Sequence, residues 1–247
     1  MLPRFFAPGA AGAEPVLALP DGEARHATRV MRLGAGDEIA VFDGRGGEWR
    51  ARIARATKSE VRVERIGRLT PAREPRVAVT LLQAVLKGDH MDAVVRDASM
   101  LGASAIVPVI TAHTIPHASA ASAARARDRW QRVALASVKQ CRRAWLPPVA
   151  APVSLHEAIG AVAPRENQLI AVLAEPAAGM RGLSPADAVG VESAVLVVGP
   201  EGGWSATELS ELAARGAAAM TLGALTLRAD AAALVAISML RAAWKDF

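Results

Sequence analysis

The stretch Val195-Leu196-Val197-Val198-Gly199-Pro200-Glu201-Gly202-Gly203-Trp204-Ser205 constrains this chain more than any other. Four consecutive apolar residues, three of them β-branched, are too uniformly dry for a strand with one wet face and predict a strand buried on both. Gly-Pro-Glu-Gly-Gly then breaks the strand. Ser205, with Glu208 three residues on, predicts a helix opened by a capping box. Strand, glycine loop and capped helix in that order present backbone N–H groups at the carboxyl end of a sheet, where open α/β sheets take their ligands. No G-x-G-x-x-G is present, so this is not the dinucleotide fingerprint, and no Gly-Lys-Ser/Thr follows as a P-loop requires. On spacing alone, a tight βα turn stiffened by proline accounts for the pattern equally well.

The rest of the C-terminal two thirds alternates in the same way. Val77 to Leu82 reads as a buried strand, Asp89 to Leu101 as a helix closed by Gly102, and Ala105 to Val109 as a strand. Arg125 to Cys141 reads as a basic amphipathic helix, with the Ala- and Ser-rich run Ala118 to Ala126 as a loop leading into it. Leu155 to Val162, Leu169 to Leu173, Thr207 to Ala214, Ala218 to Leu222 and Asp230 to Trp244 continue the alternation. Such a pattern predicts an α/β domain with a mostly parallel sheet. The last helix, with Ala231-Ala-Ala-Leu-Val-Ala-Ile-Ser-Met-Leu, is apolar nearly all round and predicts burial on most sides, including against a second subunit.

Residues 1 to about 70 carry a different period. Glu38 to Phe42 ends at an Asp43-Gly44 turn signal, and Trp49, Ala51, Ile53 and Val61, Val63 alternate with charged neighbours. Several half-dry strands in so short a stretch predict a small barrel. Asp21 to Met31 reads as one interrupting helix, on which Arg25, Arg29 and Arg32 share a face if the helix runs that far; such a face either positions phosphates or is merely solvated. Thr70-Pro-Ala-Arg-Glu-Pro75 reads as a linker.

Charge is divided unevenly. Residues 1–76 hold 14 Lys and Arg against 10 Asp and Glu, residues 77–146 hold 9 against 4, and residues 147–247 hold 6 against 10. An excess of cations in the first two blocks points to a polyanionic partner, although an arginine-rich composition would give the same bias. There is no tyrosine, which argues against stacking of bare single strands as the main device. One cysteine, Cys141, permits no disulfide within the chain and fits a reducing cytoplasm. The start, with Pro8 and Gly9 soon after Met1, carries no leader pattern, and no apolar run approaches the ~20 residues that span a bilayer.

Other constellations fail. Pro116 between His113 and His117 argues against a helical metal pair, so no metal is expected. No G-x-S-x-G elbow exists for acyl transfer. Cys141 lies beside Lys139, Arg142 and Arg143, cations that could activate a thiol, but a small packing residue is the simpler reading. Leu222-Gly223 and Arg228-Ala229-Asp230 bring a second glycine turn, then a cation and a carboxylate at a helix start.

Gly199-Pro-Glu-Gly-Gly203, Leu222-Gly223 and Leu227-Arg228 before an Ala-rich last helix resemble the C-terminal signature of the SPOUT superfamily, and within it the 16S rRNA (uracil-N3)-methyltransferases. Arg4-Phe5-Phe6, the run Arg25 to Arg32, Gly36-Asp37, Lys87-Gly88, Leu101-Gly102, Pro108, Gln140-Cys141, Arg143 and Pro147 extend the likeness to nearly the whole chain. The resemblance implies a PUA-like, RNA-binding β-barrel over residues 1–71 and a SPOUT α/β domain with a trefoil knot over 75–247. It implies a homodimer in the cytoplasm that methylates uridine N3 in 16S rRNA, or in the small ribosomal subunit, with S-adenosyl-L-methionine. Leu173, Gly199, Pro200, Glu201, Gly202, Leu222, Gly223 and Leu227 would hold that cofactor. Arg228 and Asp230 would be catalytic, and Arg25, Arg29, Arg32 and Arg143 would meet RNA. The chain departs from the family pattern at Asp97, Met100, Lys139, Ala229, Asp230 and Ala231, polar positions near the expected target, which marks a divergent member. A paralogue that binds RNA without catalysis, or a SPOUT enzyme of another RNA position, stays open.

Overall fold

The alternation in residues 77–247 becomes a six-stranded sheet in the computed structural model, which describes residues 2–57, 60–114, 119–163, 165–176 and 179–247. In chain order the elements are β1 (Arg4–Phe6), β2 (Val16–Ala18), α1 (Asp21–Arg25), β3 (Glu38–Phe42), β4 (Glu48–Ala56), β5 (Val61–Arg68), β6 (Ala78–Ala84), α2 (His90–Met100), β7 (Ala103–Ile110), α3 (Ala120–Cys141), β8 (Val153–Ser154), α4 (Leu155–Gly160), β9 (Gln168–Leu173), β10 (Ser193–Val198), α5 (Ala206–Ala214), β11 (Ala218–Met220) and α6 (Ala229–Trp244). Two compact units result: Met1–Glu74 with Leu135–Leu146, and Pro75–Ala134 with Pro147–Phe247.

In the second unit the strand order is β11-β9-β10-β6-β7-β8 and every pairing is parallel. β10, the strand expected to be dry on both faces, lies between β9 and β6 and is buried from Ala194 to Val198. One face packs Leu82, Val109, Val172, Val195 and Val197 against Leu155, Ile159 and Leu212 of α4 and α5. At the amino end of the sheet, Arg241 of α6 is 1% exposed. Its guanidinium donates to the carbonyls of Val77 (2.7 Å), Gly102 (2.9 Å) and Leu101 (3.3 Å) and to Asp246 Oδ2 (2.8 Å). Asp246 in turn accepts the backbone N–H groups of Arg76 and Val77. A buried cation is tolerable only with its donors satisfied in this manner.

The first unit is a five-stranded sheet, β1-β3-β4-β5-β2, parallel only between β1 and β3. No ladder joins β1 to β2 among the described residues. Arg65 on β5 instead reaches over the edge to the carbonyls of Ala10, Gly12 and Glu14 at 2.7–2.8 Å. Phe5, Ile39, Val41, Ile53, Val61 and Val63 fill its core. The last turns of α3 belong to this unit: Val138 and Ala144 pack on Phe42, and Lys139 Nζ bonds both carboxylate oxygens of Glu23 at 2.7 and 2.9 Å.

Several expectations need correction. The Ala- and Ser-rich run after residue 118 is helical from Ala120, because alanine is the best helix former and nothing in the run breaks a helix. The helix expected over 21–31 is α1 followed by a wider π-type turn over His26–Val30, and Arg32 then adopts left-handed φ (+56°). The single face of Arg25, Arg29 and Arg32 is therefore broken. The short strands β1, β2 and β8 add to the expected set; with two or three residues each, they have no periodicity to read.

Candidate active site

Because the sheet is parallel, β6, β9, β10 and β11 all end on one edge, at Ala84, Leu173, Val198 and Met220. Neighbouring strands are about 4.8 Å apart, so the segments leaving β10 and β11, with β9 between them, start roughly 10 Å apart. From edge strand β11 the chain runs through 221–228 into α6, which packs on α2 and β10. Residues 221–230 thus run from the edge strand toward the turn that follows β6, where Arg228 and Asp230 reach His90. Both glycine turns leave the carboxyl edge, which is the ligand slot of a parallel sheet.

The first turn is tightly built. Ser205 caps α5 in a reciprocal capping box with Glu208, as the sequence predicts. Glu208, nearly buried, also accepts the N–H of Ala112 (2.8 Å) on its other oxygen, which ties the loop after β7 to the helix start. His113 Nδ1 lies 3.0 Å from the Gly203 carbonyl. A Cβ on Gly202 would meet His113 Cβ at 2.9 Å, and one on Gly199 would meet the Trp204 ring at 2.9 Å, so neither position has room for a side chain. Trp204 Nε1 donates to the Leu173 carbonyl (2.9 Å), tying the turn to the end of β9. Pro200 is buried, whereas Glu201 and Gly202 are exposed.

The second turn is open. Gly223 has φ +97°, and a Cβ at that position would meet nothing within 4 Å; Leu222 is half-buried while Leu225 and Leu227 are exposed. Among the described residues, no backbone–backbone hydrogen bond engages 221–227. A glycine turn flanked by three leucines suits a ligand that combines a flat apolar body with a hydrogen-bonding edge, as a nucleoside does. S-adenosylmethionine has that chemistry in its adenosine half, so the residues present fit it. A separate apolar cavity of about 320 Å³, bordered by Met220, Thr221, Met239 and Trp244, lies between β11 and α6; none of the residues expected to hold the cofactor lines it.

At the far end of the slot, Arg228 and Asp230 meet a residue that sequence reasoning missed. His90 Nδ1 is 3.2 Å from Asp230 Oδ2, and Arg228 Nη2 lies 3.0 and 3.4 Å from the two ring nitrogens of His90. Arg228 Nε is 3.3 Å from Asp230 Oδ1. Arg228 is the N-cap residue of α6 but offers no side-chain cap, and Asp230 sits in the first turn, where helix N–H groups favour a carboxylate. Burial alone would push the Asp230 carboxyl up; the charges of Arg228 and His90 and the N–H groups of the helix start outweigh it and hold the group below its ordinary range. The one signal for His90 is its place right after Lys87-Gly88-Asp89, at the first position of a helix whose preceding strand ends on the ligand edge.

The remaining expected residues are scattered. Arg25, Arg29 and Arg32 are exposed and unpaired among the described residues, whereas Arg143 is enclosed, with its guanidinium on Glu74 at 2.6–3.0 Å. His117 lies outside the described residues, and no group of three metal-ligating side chains occurs among the described ones. Cys141 is half-buried near the end of α3.

Fold and site place the chain in the class of α/β RNA methyltransferases: the family model described as RNA methyltransferase domain matches residues 73–241, and that described as RNA methyltransferase PUA domain matches residues 19–64. Ribosomal RNA small subunit methyltransferase E of Synechocystis sp. is 31% identical over 229 residues, covering 93% of this chain and 74% of the relative. The crystal structure of ribosomal RNA small subunit methyltransferase E from Neisseria gonorrhoeae, bound to S-adenosyl methionine, superposes with a TM-score of 0.87 at 30% identity, covering 99% of this chain and 98% of that one. A methyltransferase from Legionella pneumophila in complex with SAM superposes with a TM-score of 0.83 at 26% identity and 98% coverage of both chains. The chain belongs to the ribosomal RNA small subunit methyltransferase E family.

Proposed function

We propose that this protein methylates N3 of a uridine in the 16S rRNA of the small ribosomal subunit, using S-adenosylmethionine. One observation supports the reading: both glycine turns leave one carboxyl edge of the sheet, and Arg228, Asp230 and His90 cluster where the second turn enters α6. Family membership supports the same activity.

On this reading Leu173, Gly199, Pro200, Glu201, Gly202, Leu222, Gly223 and Leu227 hold the cofactor. The backbone of 221–227 and the side chains of Leu222 and Leu227 would hold its adenosine half. When bound, the cofactor supplies an electrophilic methyl group on a sulfonium. The chain's own work is to hold the base in line and keep it there, which lowers the barrier by positioning. The Arg228 guanidinium, 71% exposed at the slot, stands ready to stabilise negative charge on a uracil carbonyl as N3 loses its proton. Arg25, Arg29 and Arg32 contribute phosphate contacts from the N-terminal PUA-like module. Residues 1–71 and 75–247 are the RNA-binding and methyltransferase modules, the latter knotted. The exposed Leu234 and Met239 of α6 mark the dimer face, and the cytoplasm is the working compartment. No helix among the described residues is long and apolar enough to cross a membrane.

The test is label transfer. Protein, methyl-labelled cofactor and either naked 16S rRNA or small subunits are incubated, and the modified base is mapped. Label on a uracil ring nitrogen is expected; label on a ribose, on tRNA, or on nothing despite cofactor binding overturns the reading. Arg228→Ala should cut turnover by about 10²-fold or more with cofactor affinity nearly unchanged.

A further inference from the structure

We propose that His90 is the base that removes the N3 proton from the target uracil, and that Asp230 is its positioning partner rather than the base. The inference rests on the methyl-transfer reading above and names the residue that reading leaves unassigned.

Asp230 favours one tautomer. Arg228 and the N–H groups of the helix start keep its carboxyl ionised, so its oxygens only accept, and one of them lies 3.2 Å from Nδ1 of His90. That proximity favours the hydrogen on Nδ1 and the lone pair on Nε2. Arg228 does not compete for that lone pair. Its Nη2 lies 3.0 and 3.4 Å from both ring nitrogens, and a point so placed in the ring plane would collide with Cε1 between them. The guanidinium nitrogen therefore sits over the ring face, leaving the in-plane direction from Nε2 open. The side chain of His90 is 42% exposed, so that direction has access to a substrate.

Asp230 is a poor base by comparison. Its carboxyl lies below the ordinary range, and it faces the Arg228 charge and the helix N-terminus, all of which oppose protonation. An imidazole oriented by a carboxylate is the usual answer to a proton that must leave near neutral pH. The charged groups around His90 are Arg228 and Asp230 from the start of α6, and Lys87, Asp89 and Asp92 from its own turn and helix. Asp89 and Asp92 are both engaged by Arg129 of α3 at 2.6 Å. Asp230 is thus the carboxylate directly paired with the imidazole.

The step balances. The N3–H bond breaks and its proton goes to Nε2 of His90. The N3 electron pair forms the bond to the methyl carbon, and the carbon–sulfur pair stays on sulfur, giving the neutral thioether. His90 later releases its proton to water, so one proton is produced per methyl group transferred.

The test combines pH–rate profiles with a readout that needs no turnover. For the wild type, single-turnover rate should rise with slope 1 as pH passes through the imidazole range and then level off. His90→Ala should lose about 10²–10⁴-fold at pH 7. Its rate should climb with pH toward the ionisation of the free base, with cofactor and RNA dissociation constants within about threefold of wild type. RNA carrying 5-fluorouridine at the target, whose N3–H is more acidic, should recover much of the His90→Ala loss. Independently, ring-nitrogen NMR shifts of His90 in the cofactor-free protein should place the hydrogen on Nδ1 in wild type and show that preference lost in Asp230→Asn. A His90→Ala enzyme with an unchanged profile and no fluorouridine rescue overturns the proposal while leaving methyl transfer intact. A wild type that methylates no RNA overturns the functional reading and this inference together. A His90 ring tautomer indifferent to Asp230→Asn removes Asp230 as the positioning group.

Discussion

Asp246→Ala should be among the most destabilising single changes in this chain, although it lies at the end of the sheet opposite the site. The carboxylate accepts Arg76 N–H at 2.7 Å, Val77 N–H at 2.9 Å and Arg241 Nη1 at 2.8 Å, and Arg241 is 1% exposed. Removing it takes the Asp246 carboxylate from a sealed guanidinium and the acceptor from two backbone donors. Breaking a buried pair from one side costs about 3–5 kcal/mol. At roughly 2–4 °C per kcal/mol for a chain of this size, melting should fall by about 6–20 °C. Scanning calorimetry at pH 7 measures it. The double variant Arg241→Met with Asp246→Leu removes both charges and should cost less than the single change, since no buried charge is left alone. Burial by itself pushes the Asp246 carboxyl up, but the N–H groups of Val77 and Arg76 and the Arg241 charge prevail and hold it below 3.8. A depressed folded value means the stabilisation is complete above the unfolded value and fades as pH falls through the folded one. The gap between wild type and Asp246→Ala should therefore close on acidification below the ordinary carboxylate range. A loss under about 1 kcal/mol at pH 7, or a gap indifferent to acid, would refute the account.

Gly223→Val places a β-branched side chain at φ +97°, so the loop must shift; cofactor affinity by calorimetry should drop about tenfold or more while melting changes little, and an unchanged affinity would remove this loop from the cofactor site. Glu208→Ala withdraws the acceptor of Ala112 N–H and half of the capping box, for about 1–3 kcal/mol; the Ala112 amide should lose its protection in hydrogen exchange, and retained protection counts against the tie. Asp187 is lowered to about 2, first by its bond to Arg181 and then by the Ser184 N–H, so its contribution holds above 3.8 and is lost as pH falls toward 2. Amide exchange in 181–188 should quicken across that window in wild type and be fast throughout in Asp187→Ala.

What can be read from the sequence is what repeats or caps. The β10 run, the Ser205–Glu208 box and the succession of helices and strands from Val77 onward are legible because burial on both faces and helix starts impose residue types locally. The role of Lys139 is not: it stands out as a departure from a family pattern, and only the fold brings Glu23, 116 positions away, to its ammonium group. The pairing of Arg143 is hidden for the same reason, since nothing local says that Glu74 will enclose it. His90 escapes because its partners lie about 140 residues downstream, and a single histidine after a glycine turn is no pattern at all. Arg32 leaves the face of Arg25 and Arg29 through a backbone detail, a left-handed residue after a wide turn, that side-chain spacing does not encode.

The N-terminal unit recruits Leu135–Leu146 from the far side of the chain's midpoint. Phe42, wholly buried, is covered in part by Val138 and Ala144, and Arg4 donates two of its bonds to the carbonyls of Val138 and Arg143. Recombination that exchanged residues 1–74 for those of a distant relative would therefore hand the newcomer a foreign twelve-residue lid. Inheritance of this module should be all or nothing, with residue changes at Glu23, Phe42 and Glu74 answered by changes at Lys139, Val138 and Arg143 across lineages.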